Sequence, residues 1–217
     1  MPPDRWVCLD VGETLIDETR IWGAWADELK VPRLTFFAAL GAVIAQGREH
    51  GEVFGVFGLP ADSWQARNAS VEARHGGFTE ADLYPDALPA LDSLRGAGYR
   101  VAIIANQPAR RHHQLQALGV RADVMAMSEE LGVAKPDQAF FRRSLELMDS
   151  PVPSDVAYVG DRVDNDVLPA AVAGMRSVWI RRGPWGRIQA LPVGVRPALT
   201  VDTLDEMVER IGEAFTD

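Results

Sequence analysis

The sequence holds a single cysteine, two lysines and no long apolar run. With Cys8 alone, an intrachain disulfide and a thiolate-rich zinc site are both excluded. Cys8 sits in the apolar stretch Trp6-Val7-Cys8-Leu9 and reads as a buried, unreactive thiol. No run approaches the roughly 20 apolar residues that span a bilayer. The opening residues Met1-Pro2-Pro3-Asp4-Arg5 lack the basic-then-apolar pattern of a secretory signal, so a cytoplasmic protein without membrane contact is expected. Positive charge is also scarce. The 22 basic residues face 31 acidic ones, a net charge of −9 that argues against a nucleic-acid partner or an anionic membrane surface. Of those 22 basic residues, 20 are Arg, which leaves Lys30 and Lys135 as positions where a compact ammonium was kept.

What is present describes a globular chain. Its 217 residues are 47% apolar and 24% charged, enough for one large domain or a core plus an insertion. Short apolar, β-branched runs at Trp6–Val11, Arg100–Ala105, Ala122–Ala126, Val156–Gly160 and Ser177–Ile180 read as buried strands. Helix-like stretches at Ala87–Ala97, Ala109–Leu118, Asp137–Leu147 and Asp164–Ala173 alternate with them. This pattern predicts an α/β fold with a Rossmann-like parallel sheet covered on both faces. A last amphipathic helix is expected at Thr203–Ala214, capped by Asp202 or Thr203. The Pro- and Gly-rich residues 183–199 read as an irregular surface connection.

One interval breaks the alternation. Residues 18–80 contain three helix-like stretches, Ile21–Leu29, Leu34–Gln46 and Ser63–His75, too much chain for one crossover helix. They are expected to form an inserted all-α cap domain, leaving 1–17 and 81–217 as the core domain. Trp22, Trp25, Phe36, Phe37 and Trp64 are the expected core of this cap, and the same aromatic richness makes it a candidate homodimer surface.

Ligands of open α/β sheets bind beyond the carboxyl ends of the strands. Polar residues fall there four times: Asp10 after the first strand, Asn106 after the second, Lys135 after the loop that follows the third, and Asp161 after the fourth. Asp10 followed by Gly12 reads either as a turn former or as a carboxylate nucleophile or hard-metal ligand. Asp161, Asp164 and Asp166 crowd before an apolar helix. One acid would suffice to start that helix, whereas several near Asp10 repel one another unless a cation such as Mg²⁺ lies between them. Lys135, just before Pro136, supplies a cation to the same crevice.

Together these residues resemble the haloacid dehalogenase superfamily, mostly Mg²⁺-dependent phosphatases with an Asp nucleophile. The resemblance rests on Asp10-Val-Gly-Glu-Thr14-Leu, Ile103-Ile-Ala105-Asn106, Lys135-Pro136 and Gly160-Asp161 with Asp166 five residues on, in order, supported by Leu83-Tyr84-Pro85-Asp86 and Ala170-Ala-Val-Ala-Gly174-Met175. It implies that Asp10 forms an aspartyl-phosphate later hydrolysed by water. It also implies that Mg²⁺ is held by Asp10, the backbone carbonyl of Gly12 and Asp161, with Asp166 supporting the metal or Lys135. Lys135 would neutralise Asp10 and the phosphoryl oxygens, while Thr14 and Asn106 would help bind a small phosphorylated substrate. The cap would choose the leaving group through residues such as Asp17, Glu18, Arg20 and Trp22.

Two positions depart from the resemblance. The family's phosphatases carry a second Asp two residues after the nucleophile as general acid, and here that residue is Gly12. General acid catalysis is worth about 10²–10⁴-fold. Ala105 stands where the family usually has a hydroxyl on the phosphate. Three readings follow: a Mg²⁺-dependent hydrolase with a good leaving group or another acid, with Glu13, His50 and His75 as candidates; a metal-independent 2-haloacid dehalogenase; or a related binding or regulatory protein with little turnover. His50 and His75 otherwise read as surface histidines, and Arg162, Arg181 and Arg182 as solvent-facing.

Overall fold

A computed structural model describes residues 4–60 and 63–216, except for the side chains of Trp64, Gln65 and Ala69. Six parallel strands, β1 (Trp6–Leu9), β2 (Arg100–Ala105), β3 (Val124–Met127), β4 (Val156–Gly160), β5 (Arg176–Ile180) and β6 (Leu199–Val201), form one sheet in the order β3-β2-β1-β4-β5-β6. The helices are α1 (Thr19–Glu28), α2 (Arg33–Ala45), α3 (Val53–Val56), α4 (Ser63–His75), α5 (Ala87–Gly96), α6 (Arg110–Ala117), α7 (Ser128–Leu131), α8 (Gln138–Leu147), α9 (Leu168–Val172), α10 (Gly183–Ile188) and α11 (Leu204–Arg210). The expected α/β fold with a Rossmann-like sheet is therefore the observed one.

Strand alternation divides the core into two layers. Val7, Leu9, Val101, Ile103, Val159 and Val178 point to one face and pack with α5 and α11. Trp6, Cys8, Ile104 and Tyr158 point to the other, against Phe140 and Phe141 of α8 and Ala170 of α9. Both faces are covered, which explains why the strands read as continuous apolar runs rather than alternating ones. Cys8 is fully buried, and burial pushes its thiol well above the ordinary range.

Between β1 and β2, and ahead of α5, the chain folds as helices α1 to α4. Trp25, Phe36, Leu40, Val43 and Phe54 make its buried cluster, with Trp22 and Phe37 partly buried against them. The Trp64 side chain lies outside the described residues. One buried member of this cluster is not local: Trp185, from α10, packs among these aromatics with its ring centre 6.1 Å from that of Trp22.

The stretch expected to be irregular, residues 183–199, therefore needs correcting. It contains α10 and leads into the edge strand β6. Pro184 in the first turn is compatible with a helix start because its missing N–H needs no partner there. Arg182 also differs from its solvent-facing expectation. It is buried, its guanidinium paired with Asp86 and donating to the Thr14 carbonyl at 3.1 Å.

Candidate active site

The sheet order changes direction at β1 and β4, which run side by side with Leu9 opposite Val159. A crevice opens at such a switch point beyond the strand ends. Asp10 leaves β1 there, its N–H still bound to the Val159 carbonyl at 2.9 Å, and Asp161 leaves β4 beside it. After Asp10 the chain turns sharply, with the N–H groups of Leu15 and Ile16 both donating to the Val11 carbonyl. After Asp161 a single π-type turn at Val163–Val167 bends the chain so that the Asp166 carboxylate folds back over Gly160. A side chain at residue 160 would collide with that carboxylate, so the glycine is what allows the approach. The Arg162 N–H then donates to Asp166 Oδ2 at 2.9 Å and holds it there.

The result is a compact charge cluster. Lys135 Nζ lies 2.8 Å from Asp10 Oδ1 and 2.6 Å from Asp166 Oδ1, and all three side chains are almost fully buried. Burial alone would lower the lysine's pKa, but the two carboxylates outweigh it and hold the ammonium above its ordinary value. Asn106 braces the lysine through its backbone: its amide accepts from Lys135 N–H at 2.8 Å and donates to the Lys135 carbonyl at 2.9 Å.

Asp161 has a different environment. It is 2% exposed, its Oδ2 has no hydrogen-bond partner, and burial reinforced by Asp166 and Asp10 raises its pKa well above the carboxylate range. Oxygens of Asp10, Asp161 and Asp166 all lie within 4.8 Å of one another. A buried carboxylate oxygen facing two other carboxylates without a donor is what a hard divalent cation would complete.

The cluster opens into a cavity of about 1140 Å³ between the sheet ends and α1, the segment around His50 and α4. Asp10, Gly12, Asn106, Lys135 and Asp161 line its floor. Thr14 does not line it. The tight turn after Val11 leaves this threonine fully buried, with its hydroxyl unpartnered. Asp166 lies behind Lys135 rather than at the cavity surface.

The opposite wall comes from α1, the segment around His50, and α10. Trp22, His50 and Trp185 meet edge to face there, with the His50 ring centre 5.6 Å from Trp22 and 5.9 Å from Trp185. His50 is not a free surface histidine, for burial and the neighbouring Arg162 depress its pKa to about 4. His75 is exposed, as expected. Arg162, expected to face solvent, lines the cavity with its guanidinium on Asp164 at 2.8 Å and on His50 Nδ1 at 3.3 Å. Of the four residues expected to choose the leaving group, Glu18 and Trp22 reach the cavity. Asp17 instead accepts from the Thr19 N–H at 2.8 Å, and Arg20 grips Asp82 bidentately.

Sequence reasoning missed Gln107, Arg110, Arg111 and Trp185 in this lining. Position after β2 was the available signal for Gln107. None existed for Trp185, which reaches the site only through packing.

The comparisons agree with this fold. A family model described as a haloacid dehalogenase-like hydrolase matches residues 5–174. Glyceraldehyde 3-phosphate phosphatase of Methanopyrus kandleri is 31% identical over 153 residues, which is 69% of this chain and 65%, less than two thirds, of that protein. Pyrimidine 5'-nucleotidase YjjG of Escherichia coli is 33% identical over 179 residues, 77% of this chain and 72% of its own. Among solved structures, the magnesium-bound HAD-hydrolase YfnB of Bacillus subtilis shares the fold with a TM-score of 0.70 at 17% identity, over 95% of this chain and 98% of that one.

Proposed function

The chain belongs to the haloacid dehalogenase-like hydrolases, and from that premise we propose that it is a Mg²⁺-dependent phosphohydrolase acting on a small phosphorylated metabolite through Asp10. The observation that carries this reading is the pairing of a cavity-facing Asp10 with Lys135 beside Asp161, a buried carboxylate with an unpartnered oxygen. A dehalogenase that uses no metal has no need of that third carboxylate. Relatives named for glyceraldehyde 3-phosphate and pyrimidine nucleotides support a phosphate ester as the substrate class.

Asp10 Oδ attacks phosphorus, the ester bond breaks, and the aspartyl-phosphate is then hydrolysed by water. Lys135, fixed by Asp166 and by the Asn106 brace, offers its charge to Asp10 and to the phosphoryl oxygens as they approach. The Asn106 amide is already engaged with the Lys135 backbone, so its contribution is to position the lysine. Asp10, Asp161 and the Gly12 carbonyl would hold Mg²⁺, with Asp166 supporting them; the ion supplies charge neutralisation and Lewis acidity toward the phosphoryl group. Residues 18–80 serve as the cap, whose wall of Trp22 and His50 faces the leaving group.

The test is phosphate release from a panel of phosphomonoesters, acyl phosphates and 2-haloacids, with Mg²⁺ and with EDTA. Mg²⁺-dependent phosphate release that Asp10→Asn abolishes supports the proposal. Metal-independent halide release would replace it with the dehalogenase reading.

A further inference from the structure

An alkoxide is a poor leaving group, so hydrolysis of an alkyl phosphate needs a proton donor beside the ester oxygen. The cavity offers few acids for this. Lys135 is clamped between Asp10 and Asp166. Glu13 is turned away, taking a 2.6 Å bond from the Tyr84 hydroxyl and one from the Glu18 N–H at 3.0 Å. His50 presents Nδ1 to the Arg162 guanidinium. Glu52 is paired with Arg48, Glu129 accepts from the Ala109 N–H at 2.6 Å, and Glu49 has a side chain 70% exposed that accepts from the Glu52 N–H as a helix cap.

Glu18 is placed differently. It enters from the start of α1 and lays its carboxyl against the backbone of Gly12, two residues beyond Asp10. A Cβ at residue 12 would come within 2.8 Å of Glu18 Oε1 and 3.2 Å of Oε2, so both oxygens occupy the space a side chain there would claim. Gln107 Nε2, from the end of β2, holds Oε1 at 3.3 Å across the cavity, and Asp10, Gly12, Glu18 and Gln107 share its lining. The absent side chain at 12 and the inserted carboxyl of Glu18 are thus two halves of one arrangement.

We propose that Glu18 is the proton donor to the leaving group, delivered across the floor of the cavity into the space that Gly12 leaves open. This rests on the phosphohydrolase reading above. In the first step the Asp10 Oδ–P bond forms, the P–O ester bond breaks, and the proton on Glu18 moves to the departing oxygen to give the alcohol. In the second, water attacks phosphorus, its proton passes to Glu18, and the Asp10–P bond breaks to release phosphate. Glu18 thereby returns to its starting state, and atoms and charge balance.

The experiment compares kcat/KM with Mg²⁺ for glycerol 3-phosphate, which leaves as an alkoxide, and p-nitrophenyl phosphate, which leaves as a stabilised phenolate. It uses the full chain and its Glu18→Gln and Glu18→Ala variants. The ratio of the two values is independent of the fraction of correctly folded enzyme. A lost proton donor lowers the alkyl value by about 10²–10⁴-fold and leaves the aryl value within a few-fold, so the ratio collapses in both variants. Equal losses on both substrates, or no loss on either, would overturn the assignment and leave Glu18 a structural or binding residue. If the unaltered protein releases phosphate from neither substrate nor from any phosphate compound of the panel above, or if Asp10→Asn still does so, the phosphohydrolase reading itself fails, and Glu18 falls with it. That outcome is distinct from failure of the ratio test alone.

Discussion

Lys135 and Asp166 meet at 2.6 Å in a site where neither side chain is more than 2% exposed. An ion pair that deep is stabilising only while both members remain, because each desolvated charge depends on the other. Lys135→Met would leave Asp10 and Asp166 facing one another without a cation. We expect a loss of about 3–5 kcal/mol in urea unfolding, the cost of breaking a buried pair. Phosphate release should fall by about 10²–10³-fold, as when one preorganised donor to a developing anion is removed. Lys135→Arg should recover much of the stability but little of the rate, since the planar guanidinium cannot address both carboxylates and a phosphoryl oxygen from one point.

The orphaned Asp161 oxygen makes metal binding visible as stability. With Mg²⁺ at one hundred times its dissociation constant the native state gains about 2.7 kcal/mol, and at this chain length each kcal/mol moves the midpoint by roughly 2–4 °C. A thermal melt should therefore rise on adding Mg²⁺ and fall back with EDTA. Asp161→Asn should abolish the shift while its metal-free midpoint lies at or above that of the parent, because one member of a mutually repelling cluster has gone. A full Mg²⁺ shift in Asp161→Asn would remove Asp161 from the metal site.

Much of this site was legible in the sequence because strand ends are legible. Asp10, Asn106, Lys135 and Asp161 each follow an apolar run or its loop, and a parallel sheet brings such positions to one edge. What stayed hidden depended on contacts between distant segments. Arg182 finds Asp86 across 96 positions, and no local pattern marks that pairing. The helix at Gly183–Ile188 is six residues long and includes Gly183, Pro184 and Gly186, so its composition resembles a loop until Trp185 is seen packed among residues of α1 to α3. Glu18 could be named as a cap residue, but its place against Gly12 required the turn geometry after Val11.

Trp185 gives a direct test of that hidden contact. It is buried against Trp22 and His50, and with Arg162 it connects the helical insertion to the loops beyond β4 and β5. Trp185→Ala should cost about 3–5 kcal/mol, the usual range for truncating a buried aromatic. Because the same ring lines the cavity, KM should rise more than kcat falls, whereas a purely structural ring would leave both constants of the folded fraction unchanged.

Glu13 predicts a pH dependence with a definite sign. The residue is 4% exposed, and burial together with the neighbouring Glu18 raises its pKa from 4.5 to about 7, against the lowering effect of the Tyr84 hydroxyl. A raised folded-state pKa means that the native state holds a proton the unfolded state has released. The contribution is fully present below pH 4.5 and is lost as pH rises through about 7. At 1.36 kcal/mol per unit the change is roughly 3 kcal/mol. Urea unfolding without added metal should show stability falling across this window, and Glu13→Gln should flatten the slope. An unchanged slope in Glu13→Gln would assign the dependence to other groups.

Gly12→Ala separates the geometry of the floor from the chemistry of Asp10. The new methyl would stand within 2.8 Å of Glu18 Oε1, and what must move is the end of a flexible side chain rather than backbone. The φ at this residue is not in the left-handed region, so alanine brings no backbone strain. The stability change should therefore stay within about 1 kcal/mol. The displaced carboxyl, however, no longer lies two residues beyond the nucleophile with Gln107 on its oxygen. The kcat/KM for glycerol 3-phosphate should fall by at least about tenfold while that for p-nitrophenyl phosphate changes little, since only the alkoxide needs the proton as it departs. A methyl group that leaves both rates intact would mean that Glu18 works from elsewhere in the cavity or not at all. One that lowers both equally would mean that the floor shapes phosphate binding rather than proton delivery.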